Sequence, residues 1–306
     1  MKKILVIYYS QTGQLKNILN SILLPFINNP SFTIHFEEIK PKREFSFPWK
    51  ILNFFDAFPE SVLESPIEIE PISFNTDEDY DLIILGYQPW YLSPSLPVTS
   101  FLQTEECKKV FNNRNIVTVI GCRNMWLMSQ EKIKKRILNI GGKLVGNIAL
   151  CDKTKNLISV VTISYWMFRG KKQRFIKFFP QPGISDKEID NASTFGTIVL
   201  EHLINSNFEN LQKQLIEKNA VKIYSDLMFI EKKAIRLFYL WAKFITNYSN
   251  YGSKKRSFFL SLFIIYLFTA LYIISPFFSV YLFLAKHIRI KAINRETSYF
   301  SQNTFK

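Results

Sequence analysis

Histidine and cysteine are scarce in this 306-residue chain, with three of each, and their scarcity removes several chemistries at once. Cys107, Cys122 and Cys151 show no paired spacing and no signal-peptide pattern opens the chain, which argues against a disulfide-stapled secreted domain. His35, His202 and His287 are far apart in sequence, no two with metal-ligand spacing, so no metal site is expected. With only 10 glycines, the chain has neither the three-glycine dinucleotide fingerprint nor the lysine-bearing P-loop. Acidic residues are also short, 25 against 39 Lys and Arg. Residues 1–152 carry 16 basic and 16 acidic side chains, whereas 153–306 carry 23 and 9, so the whole excess of +14 lies in the second half. A neutral first half and a basic second half imply two jobs. The last absence is of charge itself, over the 29 residues 257–285, SFFLSLFIIYLFTALYIISPFFSVYLFLA.

The opening stretch, MKKILVIYYSQTGQ, organises the first half. Residues 4–9 are apolar, β-branched and aromatic, as in a strand buried on both faces. Leu15, Ile18, Leu19, Ile22 and Leu23 then follow at helical spacing. Ser10, Gln11, Thr12, Gly13 and Gln14 therefore join a strand end to a helix start, where backbone amides, hydroxyls and the helix dipole favour an anion. Neutral donors without a cation suit a phosphomonoester held without metal.

Further strands are expected at 32–39, 81–87, 116–121 and 143–150, with helices at 98–111 and 129–140 between them and another at 186–203. This alternation predicts an α/β, doubly wound, five-stranded parallel sheet with its ligand beyond the carboxyl ends of the strands. After the third strand come Gly86, Tyr87, Gln88, Pro89, Trp90 and Tyr91; after the fourth come Gly121, Cys122, Arg123, Asn124, Met125 and Trp126. Large aromatics on loops beside a phosphate site describe a pocket for flavin mononucleotide (FMN).

On these residues the first half resembles the flavodoxin-like proteins, whose first loop runs Ser/Thr-x-Thr-Gly-x-Thr; here Leu15 replaces the last Thr. The strong acidity of electron-carrier flavodoxins is missing, so a diffusible electron shuttle is not expected. More narrowly, YYSQTGQ, GYQPWYLSPSLP and GCRNMWLMSQE resemble the dialkylresorcinol condensing enzymes of bacterial aryl-lipid and flexirubin-type pigment clusters. That resemblance implies a flavin-dependent aromatisation of a dialkyl cyclohexane-1,3-dione made by a partner ketosynthase, because Cys122 lacks the His partners of a condensing enzyme. FMN is expected on the three loops, and Tyr91, Arg123 and Asn124, whose loops should border the ring, are the candidate catalytic groups, with Arg123 placed to stabilise an enolate oxygen. An NAD(P)H-dependent quinone or FMN reductase and a non-catalytic scaffold recruiting a ketosynthase are the other readings.

The chain divides as a flavin domain over 1–205 with insertions at 40–79 and 151–184, an amphipathic basic region over 206–256, a membrane segment over 257–285 and a basic tail over 286–306. The 40–79 insertion holds Phe45, Phe47, Trp49, Phe54, Phe55 and Phe58, either a lid for an apolar substrate or a surface packed on a neighbouring element. The uncharged stretch exceeds the roughly 20 residues that cross a bilayer, and cations flank both of its ends. It either crosses once or breaks at Ser275-Pro276 and returns as a re-entrant hairpin. On a helical wheel, Leu227, Ile230, Ala234, Leu237, Phe238, Trp241, Phe244 and Ile245 oppose Lys232, Arg236 and Lys243, a helix suited to an anionic lipid interface. The expected partners are anionic lipid, an apolar alkyl-bearing ring and the ketosynthase, not nucleic acid. The expected location is the cytoplasmic membrane, with the flavin domain facing the cytoplasm.

Overall fold

The computed structural model describes residues 1–27 and 29–304, and the side chains of these except at 278–279 and 281–289. Five strands, β1 (Lys2–Tyr8), β2 (Phe32–Glu38), β3 (Leu82–Tyr87), β4 (Asn115–Cys122) and β5 (Lys143–Cys151), form one parallel sheet in the order β2-β1-β3-β4-β5. This is the flavodoxin-like doubly wound arrangement, in which the chain reverses direction across the sheet between β1 and β3. Period-two alternation divides the strands between two cores: Leu5, Ile7, Ile83 and Leu85 face one side, and Ile4, Val6, Leu82 and Ile84 the other. Each such buried aliphatic side chain contributes about 1.5–3 kcal/mol.

Helices α1 (Gln14–Ile27), α2 (Ile51–Asp56), α3 (Phe58–Leu63), α4 (Leu96–Phe101), α5 (Glu105–Phe111), α6 (Leu127–Asn139), α7 (Asn156–Arg169), α8 (Asp186–Asp190), α9 (Ser193–Ile204) and α10 (Leu211–Glu217) follow in chain order. Helices α4, α5 and α6 cover one face of the sheet, and α1, α8, α9 and α10 the other. At Gly196 a Cβ would stand 1.8 Å from the carbonyl oxygen of Ile22, so only glycine lets α9 lie this close on α1. The helix expected over 98–111 is two helices, because the Thr104 hydroxyl accepts the Cys107 N–H and caps a new start. The helix expected over 186–203 likewise breaks between α8 and α9. Helix α7, inside the second insertion, was not expected; Gly170, at φ 75°, ends it.

The C-terminal half is α11 (Ser225–Tyr248), α12 (Lys254–Thr269), a π-helical turn (Ala270–Ile274) and α13 (Ser275–Ser301). Helical backbone runs through Ser275-Pro276, where the segment was expected either to continue or to break; the proline sits in the first turn of α13. Lys254–Phe277 is long and apolar enough to cross a bilayer by length and composition, with mean hydropathy 2.3 and 11% of its most apolar window buried.

Both ends of this long helical segment dock on one element, α11. Near the start, Phe263 and Tyr266 meet Trp241 at 5.8 and 5.4 Å between ring centroids. Near the end, Glu296 pairs with Lys232 at 2.6 Å, and Ile293 and Phe300 join the core. A straight helix from 266 to 296 would reach about 45 Å, whereas 232 and 241 lie about 14 Å apart along α11. The segment is therefore an arch, and a π turn next to a proline is a recognised cause of such bending. The basic tail expected over 286–306 is this returning arm. The face that α11 buries runs through Met228, Glu231, Ala242 and Ile245, while Leu237 and Phe244 of the expected apolar face stay exposed.

Candidate functional site

Between β1 and α1, residues 9–13 cross the carboxyl edge of the sheet. Gly13 has φ +79° and nothing within 4 Å of where a Cβ would stand, so the turn faces open space. The first helical bond here runs from Asn17 N–H to the Gly13 carbonyl, which leaves the preceding amides to find other partners. Ser10 Oγ accepts from Lys16 N–H at 3.3 Å and Thr12 Oγ1 from Gln14 N–H at 3.4 Å. The amides of Thr12, Gly13 and Leu15 meet no acceptor among the described residues. The Leu15 side chain is fully buried, so this position gives the loop its amide alone.

The glutamines expected to touch the cofactor are mostly engaged elsewhere. Gln14 forms a two-way bond with the backbone of Ile184, at 3.0 and 3.1 Å. Gln11 donates to the Phe45 carbonyl and accepts from the Tyr9 hydroxyl, while Gln88 accepts the Gln11 N–H at 3.1 Å. Their side chains fix the loop's position.

Trp90 stands beside the loop, in a two-residue antiparallel pairing of Pro89–Trp90 with Ser93–Pro94. It meets Tyr9, Phe45 and Trp49 edge to face, at 5.9, 4.9 and 5.5 Å. The rings continue from Trp49 to Phe54, Tyr91 and Phe58, and Phe58 stacks on Phe263 of α12 at 3.7 Å. The insertion is a packing surface: Phe45 and Trp49 cover Trp90, and α3 seats on α11 and α12. Tyr91 is not the free polar group expected. Its hydroxyl donates to the Phe54 carbonyl at 2.7 Å, and burial raises its pKa well above that of an ordinary phenol.

After β4, Arg123 and Asn124 converge on Asn156 of α7. Arg123 Nη1 donates to Asn156 Oδ1 at 2.8 Å and to Ser159 Oγ at 3.1 Å. Because a guanidinium only donates, Asn156 must present its oxygen, so Asn124 turns its Nδ2 to that same atom at 2.9 Å. Asn124 Oδ1 is left buried without a partner. Burial lowers the Arg123 pKa to about 10, against the opposing pull of Asp152. It therefore stays protonated at neutral pH, with no carboxylate in ion-pair contact among the described residues. Trp126, expected to border the ring, is 2% exposed and packs in the core. A Cβ at Gly121 would meet Ile18 and Leu15 of α1.

Asn156 and Glu231 were missed by sequence reasoning. Asn156 lies in a helix that the apolar pattern of the second insertion did not reveal. Glu231 is 1% exposed on α11, and its Oε1 accepts the Met128 N–H at 2.8 Å at the start of α6. Burial raises its pKa from 4.5 to about 8, against the lowering effect of the Met128 and Leu127 amides. A carboxyl raised by folding binds its proton more tightly in the native state. Its contribution is therefore full below pH 4.5 and declines as pH rises toward about 8. Relative to Glu231→Gln, the wild type should lose on the order of 1–3 kcal/mol across that window, read as a wild-type Tm that falls relative to the variant's as pH rises.

The cleft of about 400 Å³ lined by Met1, Lys2, Phe32 and Ile204 is at the opposite, amino edge and contains none of these residues. Among the described residues, no three His, Cys, Asp or Glu side chains gather as metal ligands.

No family model matches the chain, and no curated protein matches it. Among solved structures it is similar to a flavoprotein from Lactobacillus acidophilus NCFM in complex with FMN, at 18% identity over 48% of this chain and 92% of that one, with TM-score 0.38. It is similar to oxidised flavodoxin 1 from Bacillus cereus at 15% identity over 66% and 99%, with TM-score 0.34. A flavodoxin from the domain Archaea shares 13% identity over 66% and 98%, with TM-score 0.33. The fold class rests on the strand order of the chain's own sheet, 2-1-3-4-5.

Proposed function

We propose that this chain is a membrane-associated FMN-dependent oxidoreductase that aromatises a dialkyl cyclohexane-1,3-dione, supplied by a ketosynthase, to a dialkylresorcinol. The observation that carries the flavin is the pair of unspent hydrogen-bonding sets on one sheet edge. The amides of Thr12, Gly13 and Leu15 stand after β1, and the orphaned Asn124 Oδ1 after β4 beside the Arg123 guanidinium, whose Nη1 is engaged by Asn156 and Ser159. The first set suits phosphate oxygens at a helix start. The second suits the N–H and carbonyl of an imide, with Asn124 accepting and Arg123 donating. Trp90 supplies the aromatic face, once Phe45 and Trp49 swing away from it.

Bound FMN supplies a ring that takes up two electrons and a proton. Converting the dione to a resorcinol removes one proton and one hydride from adjacent carbons. Arg123, held protonated, stabilises the enolate oxygen when the proton leaves. Tyr91 moves no proton, because its hydroxyl is committed to the Phe54 carbonyl. The ring seam from Trp90 to Phe263 favours an apolar, chain-bearing substrate and excludes water from its path.

The membrane reading rests on the arch and on a second surface. The loop after α7 exposes Phe175, Ile176 and Phe178 among Lys171, Arg174 and Lys177, a combination that suits anionic headgroups. With both arms of the arch docked on α11, its basic flanks meet the same membrane surface, and the flavin domain faces the cytoplasm.

The test is the flavin absorbance of the detergent-purified protein during anaerobic addition of a dialkyl cyclohexane-1,3-dione. Bleaching with resorcinol formation is expected. Bleaching by NAD(P)H and reoxidation by quinone, without reaction of the dione, would mark a quinone reductase instead. A colourless protein that takes up no FMN would mark a scaffold.

A further inference from the structure

Cys122 and Cys151 close the adjacent parallel strands β4 and β5 and are partners in the strand register. Their sulfurs stand 3.2 Å apart. Both thiols are free and half-buried, whereas Cys107 is fully buried. Neighbouring strands lie about 4.8 Å apart, and a disulfide accepts Cα atoms about 4.4–6.8 Å apart. Side-chain torsions alone can therefore bring the sulfurs the remaining ~1 Å to bonding distance. The register shift between Ile116 and Val117 sets this pairing, since it aligns Thr118 with Asn147 and, four residues on, Cys122 with Cys151.

We propose that Cys122 and Cys151 are a reversible two-electron dithiol/disulfide couple in the wall of the candidate site, reacting with low-molecular-weight disulfides. In the first step, the sulfur of one cysteine, taken here as Cys151, attacks the external disulfide, whose S–S bond breaks and releases one thiol. In the second, Cys122 sulfur displaces the other half from Cys151, so one intramolecular S–S bond forms and both hydrogens end on the two released thiols. Burial and the facing thiol raise the Cys122 pKa above that of an ordinary thiol, so closure should quicken as pH rises and thiolate forms. Arg123 and Asn124 follow Cys122 directly, and the Asp152 N–H bonds the Cys122 carbonyl at 3.1 Å. The bond would thus fasten together the two strand ends that carry the Arg123, Asn124 and Asn156 cluster. The couple does not depend on the flavin reading.

The experiment incubates the full-length, detergent-purified chain with oxidised glutathione, then denatures, alkylates and weighs it. Two of the three thiols should be lost, with a mass lower by two hydrogens, no retained glutathione and a peptide linking 122 to 151. A thiol reductant should restore all three. Cys107→Ser should close in the same way, while Cys122→Ser should stop at a glutathione adduct on Cys151. Three alkylatable thiols, a stable glutathione adduct on the wild type, a link through Cys107 or a bond between two chains would each overturn the proposal.

Discussion

The Thr12→Asp variant should bind FMN about a thousandfold more weakly than the wild type. The half-buried Thr12 side chain borders the turn whose amides have no acceptor, so a carboxylate there lies beside any phosphate held by the loop. Two like charges about 4 Å apart at an effective dielectric near 20 repel by about 4 kcal/mol, a factor of about 10³ in Kd. The substitution spares the fold, because Asp accepts the Gln14 N–H as readily as the Thr12 hydroxyl does. Riboflavin, which lacks the phosphate, is the control and should bind the two proteins within a few-fold of each other. Fluorescence titration of both ligands decides the matter. Equal losses for FMN and riboflavin would move the phosphate to another part of the molecule.

Arg256→Ala should cost about 3–5 kcal/mol, the usual result of stripping one partner from a buried ion pair. The Arg256 side chain is 3% exposed and reaches Asp56 and, at 2.7 Å, Glu60. It also donates to the Asp56 backbone carbonyl at 3.0 Å. The pair joins the α2–α3 insertion to the root of α12, where the Ser253 hydroxyl caps the helix by accepting the Arg256 N–H. Without the guanidinium, two carboxylates remain in a poorly solvated site. Adding Asp56→Asn and Glu60→Gln to Arg256→Ala should therefore recover part of the loss. Thermal unfolding in detergent checks both results, and an unchanged Tm for the single variant would show that the insertion is not held this way.

Sequence periodicity exposed the sheet because β1 and β3 are buried nearly end to end and read as continuous apolar runs. The strand-end loops stood out for the same reason, as polar interruptions after such runs. What each side chain does there was less legible. Trp90 and Trp126 look alike in sequence, both aromatic and just past a strand. One nevertheless stands at the sheet edge and the other packs in the core, a difference set by the start of α6. Asn156 and Glu231 act on the site from elements 30 to 100 residues downstream, a juxtaposition that no local pattern encodes. The arch was hidden similarly: an uncharged run announces lipid affinity, but only the contacts of Phe263 and Glu296 with α11 show that both arms return to one helix.

That return has a consequence for transport. On the proposed membrane reading, a segment whose two ends both dock on α11 would enter the bilayer from one side and leave by the same side. An alkyl-bearing ring taken up along the seam from Phe263 to Trp90 would come from the near leaflet, and its product would go back to that leaflet. Any passage to the opposite leaflet would need a separate flippase.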